Sequence, residues 1–323
     1  IIKQETKAKE MKKLKLQESD LVASKSSWKK SIPYLLLVLP AALYLLIFHY
    51  LPIFGVVVAF KDYNYVDGIL GSPWVGLKYF DYFFTSNDAF RVLRNTMGYS
   101  LMFHFVGIFT GVFLAILLYE VTSPKLLRVY HTGLLMPYFI SWVVGSYVFY
   151  ILLSHSSGII NQLLTSLGAK PVNWYQEPKY WPFILQCADI WKNVGMGCVL
   201  YYANLMSLDA SLFEAASIDG ANRFQQWIKI GIPSLIPLIC IITIMKMGSI
   251  LGGDFGLFYQ VPMDSGPLYP VTDTVQTYLY RGLVAGDMSV SAAVGLVCNV
   301  VGLVMVLGSN AVVRKLDPDS AMF

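Results

Sequence analysis

Charge is in short supply in this sequence. Of its 323 residues only 14% are Asp, Glu, Lys or Arg, against about 25% in an ordinary soluble domain. That shortfall excludes a chain kept in water by a charged surface. Histidine is scarce as well, and His49, His104, His131 and His155 are scattered. With no HExxH, no GxSxG and no metal-ligand spacing, a membrane enzyme has no motif to stand on, and each histidine reads as packed or interfacial. Cysteine is limited to Cys187, Cys198, Cys240 and Cys298, all inside apolar runs and without a CxxC. The first two are eleven residues apart on one helix, about 16 Å by helical rise. They cannot bridge without breaking that helix, so all four read as small packing residues rather than disulfide or metal ligands. The G-x-x-x-x-G-K-[ST] phosphate loop is absent too, so the chain lacks the usual backbone cradle for a nucleotide.

What is present is apolar surface. Hydrophobic residues make up 56% of the chain and gather in blocks of about twenty or more, the length that crosses roughly 30 Å of hydrocarbon. The expected fold is an all-α integral membrane protein with six transmembrane helices, at about 33–60, 96–119, 134–153, 182–206, 235–252 and 289–313. The first run is longer than a signal-peptide core and has a thirty-residue amino flank, so it reads as a retained span. Absence of an initiator Met implies that the sequence starts inside a longer chain.

Lys and Arg set the orientation. The amino tail, the 120–133 and 207–234 loops and the carboxyl tail hold 15 of them, and the segments 61–95, 154–181 and 253–288 hold 7. This places both termini in the cytoplasm. Nine of the 15 fall in the first thirty residues, so the orientation rests mainly on the first span. Such a tail could attract nucleic acid or acidic lipid, but beside a first span it holds the amino end inside, and no nucleic-acid partner is expected. The expected division is a basic cytoplasmic tail over 1–30 and a six-helix transmembrane domain over 31–323, with an inner loop at 207–234.

The outer segments, such as "KDYNYVDGILGSPWVGLKYFDYFF" and "AKPVNWYQEPKYW", are rich in aromatic and turn residues. That composition suits headgroup anchoring and partner contact equally. Pro40, Pro52 and the "LGGDFG" stretch break regular helix, which lipid tolerates only where protein or water satisfies the freed groups. Gly107 with Gly111, and Gly248 with Gly252, have the GxxxG spacing that lets helices approach closely.

The inner loop carries the most specific signal. Ser211-Leu212-Phe213-Glu214 has the form of a capping box, predicting a helix start. Ala215, Ala216 and Ile218 give the helix a small, partly apolar surface, and Gly220 permits the geometry that ends it. "RFQQWIKIGIP" is then amphipathic up to Pro233, where a missing amide proton is tolerated near a helix start. The loop therefore reads as a compact helix–turn–helix.

Its spacing is E-A-A, three residues, Gly, nine residues, Ile, one residue, a branched aliphatic, Pro. This resembles the EAA loop of the permease subunits of binding-protein-dependent ABC importers, with Ile232 in place of the usual Leu. "VGLKYF", "RVLRNT", "WKNVGM", "DTVQTYLYR" and the final "VVRKLDPDSAMF" resemble the sugar-importer branch, maltose-type and especially polysaccharide-type permeases. The resemblance extends from about residue 30 onward. It implies a cell-membrane permease that works by alternating access on oligosaccharides or polysaccharide fragments, with a second homologous permease chain, an extracytoplasmic solute-binding protein and two ATPase subunits. ATP and Mg would sit on the ATPase, leaving this chain no cofactor and no catalytic residue. The coupling helix would dock on the ATPase through Ser211, Glu214, Ala215, Ala216, Ile218, Asp219, Gly220, Ala221, Ile230 and Pro233.

Polar groups inside spans are costly and point to a protein interior or an aqueous path. Asp189, Lys192 and Asn193 fall in the fourth span, Lys246 in the fifth and Asn299 in the sixth. Asp189 and Lys192 lie on one helix face and can form a mutual ion pair. Alternatively they line a hydrophilic substrate pathway with Tyr147, Trp191, Asn193, Tyr201, Tyr202 and Lys246, and spacing does not choose. The same machinery carrying another organic solute, such as glycerol phosphate or a modified sugar, is the competing reading. A secondary transporter or channel is the competitor from a different class, though no inverted repeat is apparent.

Overall fold

The structure, a computed structural model, describes residues 28–316, with side chains over 33–315. Most of the expected basic tail and the final "DPDSAMF" lie outside the described residues. The chain separates into two units, Ile1–Val56 and Val57–Phe323.

In the first unit, α1 (Trp28–Leu45) contains Pro33 and Pro40 and continues into a π turn at Leu46–Tyr50. The apolar helical course Pro33–Phe60 is 28 residues long. Pro40 lies within α1 without breaking it, whereas at Pro52 the regular α-helix is lost as expected and the course goes on as a 3-10 helix over Leu51–Phe60. The widened turn immediately before absorbs the missing amide and the ring, which would clash with a regular α-helix.

The second unit is helical among its described residues, apart from an isolated bridge between Lys61 and Trp74. It comprises α2 (Lys78–Thr85), α3 (Asn87–Tyr119), α4 (Pro124–Leu135), α5 (Trp142–Leu153), α6 (Ile159–Ser166), α7 (Trp181–Met206), α8 (Ala210–Ile218), α9 (Arg223–Gln226), α10 (Ile232–Gly248), α11 (Phe255–Gln260), α12 (Tyr269–Thr272), α13 (Val275–Ala285) and α14 (Met288–Leu316). Among the described residues four helices are long and apolar enough to cross a membrane: Pro33–Phe60, Asn87–Tyr119, Arg223–Gly248 and Met288–Lys315. A fifth arises if Pro124–Phe139 and Trp142–Leu153, bent by 101°, form one span. The expected continuous helix over 134–153 is thus broken. The fourth expected span is α7, long but interrupted by Gln186, Asp189, Lys192 and Asn193.

Tight packing holds these helices. α3 and α7 form the most extensive helix pair. A Cβ on Gly302 would come 2.4 Å from the Gly248 carbonyl oxygen, so that contact needs the bare backbone, and one on Gly111 would be tight against the Tyr201 ring at 3.0 Å. Gly107 has open space instead. Among the described residues the two largest of four apolar cores lie along α3 and α7. Toward one end Tyr99, Trp181, Leu185 and Ala188 meet Leu257, Phe258 and Leu268. Toward the other, Ala115, Cys198, Tyr201 and Leu205 meet Phe213, Trp227 and Leu235. Cys198 is the packing residue expected of it, whereas Cys187 is exposed.

The end away from the inner loop is fastened by charge. Asp273 has no exposed side chain, and its carboxylate accepts from Arg91 at 2.9 Å and from Arg281. Thr277 donates to the same carboxylate at 2.9 Å. A buried anion is tolerable only with such partners, and here they join α3 to the connection between α12 and α13.

Candidate functional site: a clasped loop and a polar cavity

The 207–234 loop is a helix–turn–helix, but its start differs from expectation. Asp209 is the N-cap of α8, its carboxylate accepting from the Ser211 amide at 2.9 Å. That hydrogen bond holds its pKa below the usual carboxylate value. Ser211 and Glu214 therefore lie inside α8 and form no capping box, because the chain turns helical two residues earlier. The reciprocal box opens the second helix instead: Asn222 Oδ1 accepts from the Gln225 amide and Gln225 Oε1 from the Asn222 amide, each at 2.9 Å. Asn222-Arg223-Phe224-Gln225 carried that signal in the sequence.

Gly220 performs as expected. At φ +83° it takes the left-handed conformation, its amide donates to Ser217 O at 3.1 Å and the Ala221 amide to Ala216 O at 2.9 Å. This pair of bonds is a Schellman closure of α8. Pro233 is the second residue of α10, where its missing amide is tolerated as expected, and the π turn at Trp227–Gly231 leads into it so that Arg223–Gly248 remains one helical course, the device already seen before Pro52.

The loop is clasped to the bundle by buried groups. Tyr119, Phe213 and Trp227 form an aromatic triangle with centroids 5.0–5.9 Å apart. Trp227 Nε1 donates to Glu120 Oε1 at 2.8 Å. Gln226, 2% exposed, donates from Nε2 to Ser217 Oγ at 2.8 Å and to Ala221 O at 3.0 Å. The two short helices are thus tied to each other and to the end of α3. Ser211, Glu214, Ala215, Asp219 and Gly220 are exposed and Ala216 and Ala221 half-buried, Ile218 and Phe224 are 87% and 73% exposed, and half-buried Ile230 packs against the cluster of Phe213 and Trp227.

The second site is a cavity of about 590 Å³ walled by α3, α7, α10 and the segment leading into α11. Its polar lining includes Ser100, His104, Asp189, Asn193, Lys246 and Asp254. His104 Nε2 lies 2.9 Å from Thr243 Oγ1, bridging α3 and α10, and Ser100 donates to Ile250 O at 2.6 Å. Asp189 accepts from Asn193 at 2.8 Å. Donors, acceptors and the Phe103, Phe255 and Phe258 rings share one space whose volume suits a small solute. Among the described residues no three His, Cys, Asp or Glu side chains gather to hold a metal ion.

Residues 107–320 match the family described as binding-protein-dependent transport system inner membrane component. The chain belongs to this family. It is similar to protein LplB of Bacillus subtilis (strain 168), with 35% identity over 288 residues, 88% of this chain and 89% of that one. It is also similar to the polygalacturonan/rhamnogalacturonan transport system permease protein YteP of the same organism, with 34% identity over 285 residues and 88% of each chain covered. A chain from the crystal structure of a bacterial ABC transporter involved in the import of the acidic polysaccharide alginate superposes with TM-score 0.82 at 29% identity, covering 90% of this chain and 97% of that one. A structure of the bacterial alginate ABC transporter in complex with an alginate pentasaccharide-bound periplasmic protein gives 0.81 at the same identity.

Of the residues expected along the permease's pathway, Asp189, Asn193, Tyr201 and Lys246 line the cavity. The other four do not, and Lys192 is no ion-pair partner of Asp189. Its Nζ donates to Tyr138 O at 3.2 Å and to Ile140 O. The lysine thus satisfies carbonyls at a broken helix end, the natural place for a cation. Trp191 packs edge-on against Phe149 at 5.8 Å, and Tyr202 meets the His131 ring at 4.8 Å. Tyr147 is 61% exposed on α5. Neighbours along a helix alternate faces every hundred degrees or so, which separates Trp191 and Lys192 from Asn193. Ser100, His104 and Asp254 were the polar lining that sequence reasoning missed, since nothing local marks a residue as facing a cavity made by distant helices.

Proposed function

We propose that this permease forms one half of the membrane pathway of an ATP-driven importer of oligosaccharides or polysaccharide fragments. It crosses the cell membrane six times with both termini in the cytoplasm, the bent α4–α5 course and α7 counting as spans. A second homologous permease chain completes the pathway, a solute-binding protein delivers saccharide from outside, and two ATPase subunits carry ATP and Mg. α8 is the coupling helix. Glu214 supplies its polar contact, the small Ala215 and Ala216 allow close docking, and Ile218, Asp219, Ala221 and Ile230 flank the contact.

The observation that carries this reading is the clasp. A lever must move as one body with what it drives, and the Tyr119–Phe213–Trp227 triangle with the Trp227–Glu120 bond ties the exposed α8 to α3. α3 in turn lines the cavity through Ser100, Phe103 and His104. Nucleotide-driven displacement of α8 would then reshape the cavity, which is alternating access in mechanical terms. The saccharide class is supported by the polygalacturonan/rhamnogalacturonan and alginate carried by relatives and by a cavity offering hydrogen-bonding groups beside aromatic faces.

Topology supplies the test. With the native cysteines replaced, an Ile218→Cys chain is treated with a membrane-impermeant maleimide in vesicles of either orientation. Labelling is expected only in inside-out vesicles, and labelling from the external face would contradict the reading.

A further inference from the structure

Trp142 opens α5, immediately after the break in the bent α4–α5 course, and two separate elements, α7 and α11 with its N-cap, converge on its indole. Nε1 donates to Asp254 Oδ2 at 2.6 Å. Lys192 Nζ, which also holds the Tyr138 and Ile140 carbonyls of the break, stands 5.2 Å over the ring. On the α11 side, a Cβ on Gly256 would lie 2.4 Å from Trp142 Cδ1, so only glycine admits the indole there. α4 is seated just as tightly on α7, where a Cβ on Gly195 would fall 2.0 Å from Leu134 O.

Asp254 has a second and a third duty. It is the N-cap of α11, accepting from the Leu257 amide at 3.2 Å, and it lines the central cavity together with Gly253, Phe255, Gly256 and Phe258. The cavity wall at 253–258 therefore cannot shift without moving the indole or breaking its hydrogen bond. The indole in turn cannot shift without disturbing the lysine that closes the break. An apolar tie between α5 and α11 would need neither a carboxylate in the cavity wall nor an N–H directed at it.

We propose that Trp142 is a positioning residue for transport: through Asp254 and Lys192 it links the cavity wall to the break of the bent span, so that both change state together. The inference rests on the importer function proposed above. Its signature is coupling rather than folding. Without the link the cavity wall moves independently, and the assembled transporter hydrolyses ATP without waiting for the binding protein.

The experiment measures ATP hydrolysis by the complete complex in proteoliposomes, without and with its binding protein. Trp142→Phe keeps the ring and removes the N–H. Asp254→Ser keeps a good N-cap for α11 but is too short to reach the indole, and Asp254→Asn keeps both an N-cap and a reaching acceptor. Hydrolysis without the binding protein is expected to rise about fivefold or more in Trp142→Phe and Asp254→Ser, a typical size for a coupling between sites. The double variant is expected to be no worse than either single one, and Asp254→Asn to hydrolyse less without the binding protein than Asp254→Ser. Wild-type basal hydrolysis in assembled Trp142→Phe, or additive effects in the double variant, would overturn the inference. If Trp142→Phe does not assemble, the Asp254 pair decides: equal behaviour of Ser and Asn overturns it. Failure of the wild-type chain to assemble with any ATPase would overturn the importer reading itself, a result distinguishable from all of these.

Discussion

The clasped loop and the central cavity are assembled in opposite ways. The loop takes its caps and most of its polar bonds from residues 209–230, and is seated through Tyr119, Glu120 and the core of Ala115, Cys198 and Leu205. The cavity gathers residues from Thr96 to Thr274 across several helices, with Gly107, Gly197, Gly253 and Gly256 in its walls. Local bonds make the loop rigid before any partner arrives, whereas the cavity's shape depends on how whole helices sit. A transmitting part and a yielding part are what an alternating-access machine requires, and the difference between them can be tested.

The largest effect is expected at the clasp. Trp227→Ala removes a buried ring from the triangle and orphans Glu120, and a buried Trp→Ala change costs about 3–5 kcal/mol. Thermal unfolding in mild detergent should fall accordingly, and ATPase association should be lost with it. An unchanged midpoint would show the loop to be an independent appendage. At the cavity side, Gly195→Ala forces a methyl against the Leu134 carbonyl, an overpacking worth about 1–3 kcal/mol. It should lower the midpoint while leaving ATPase association intact, so loss of association would blur the distinction between the regions. The smallest effects are expected at the loop's caps. Asn222→Ala should cost about 1 kcal/mol by the same measurement. Asp209 has a depressed pKa in the folded chain, so its contribution is fully present above the ordinary value of 3.8 and is lost as pH falls through the lower folded value. Acidification through that window should lower the protection of the Ser211 amide relative to its intrinsic exchange rate at each pH, and protection insensitive to pH there would remove Asp209 as the cap.

The same contrast explains what could be read from residue order. Glu214 to Pro233 form a dense, short-range pattern, and Gly220 alone predicts a left-handed turn that the structure contains at φ +83°. The helix start was misplaced because two acceptable caps, Asp209 and Ser211, stand two residues apart, and which one wins depends on where the preceding helix ends. Lys192 shows the limit from the other direction. Its spacing from Asp189 permits an ion pair, but the break at 140–141 lies about fifty residues away in sequence and offers unsatisfied carbonyls that attract the ammonium more strongly. The break itself was hidden because 134–153 is apolar throughout, and hydropathy does not register a bend.

The most direct measurement is the amount of ATPase retained when the tagged permease is extracted in mild detergent, wild type beside a Glu214→Lys/Gly220→Pro double variant. The account predicts full retention by the wild type and near-complete loss by the variant, whose insertion in the membrane is unchanged. Wild-type retention by the variant, or accumulation of solute by the wild-type chain with no ATPase attached, would contradict it.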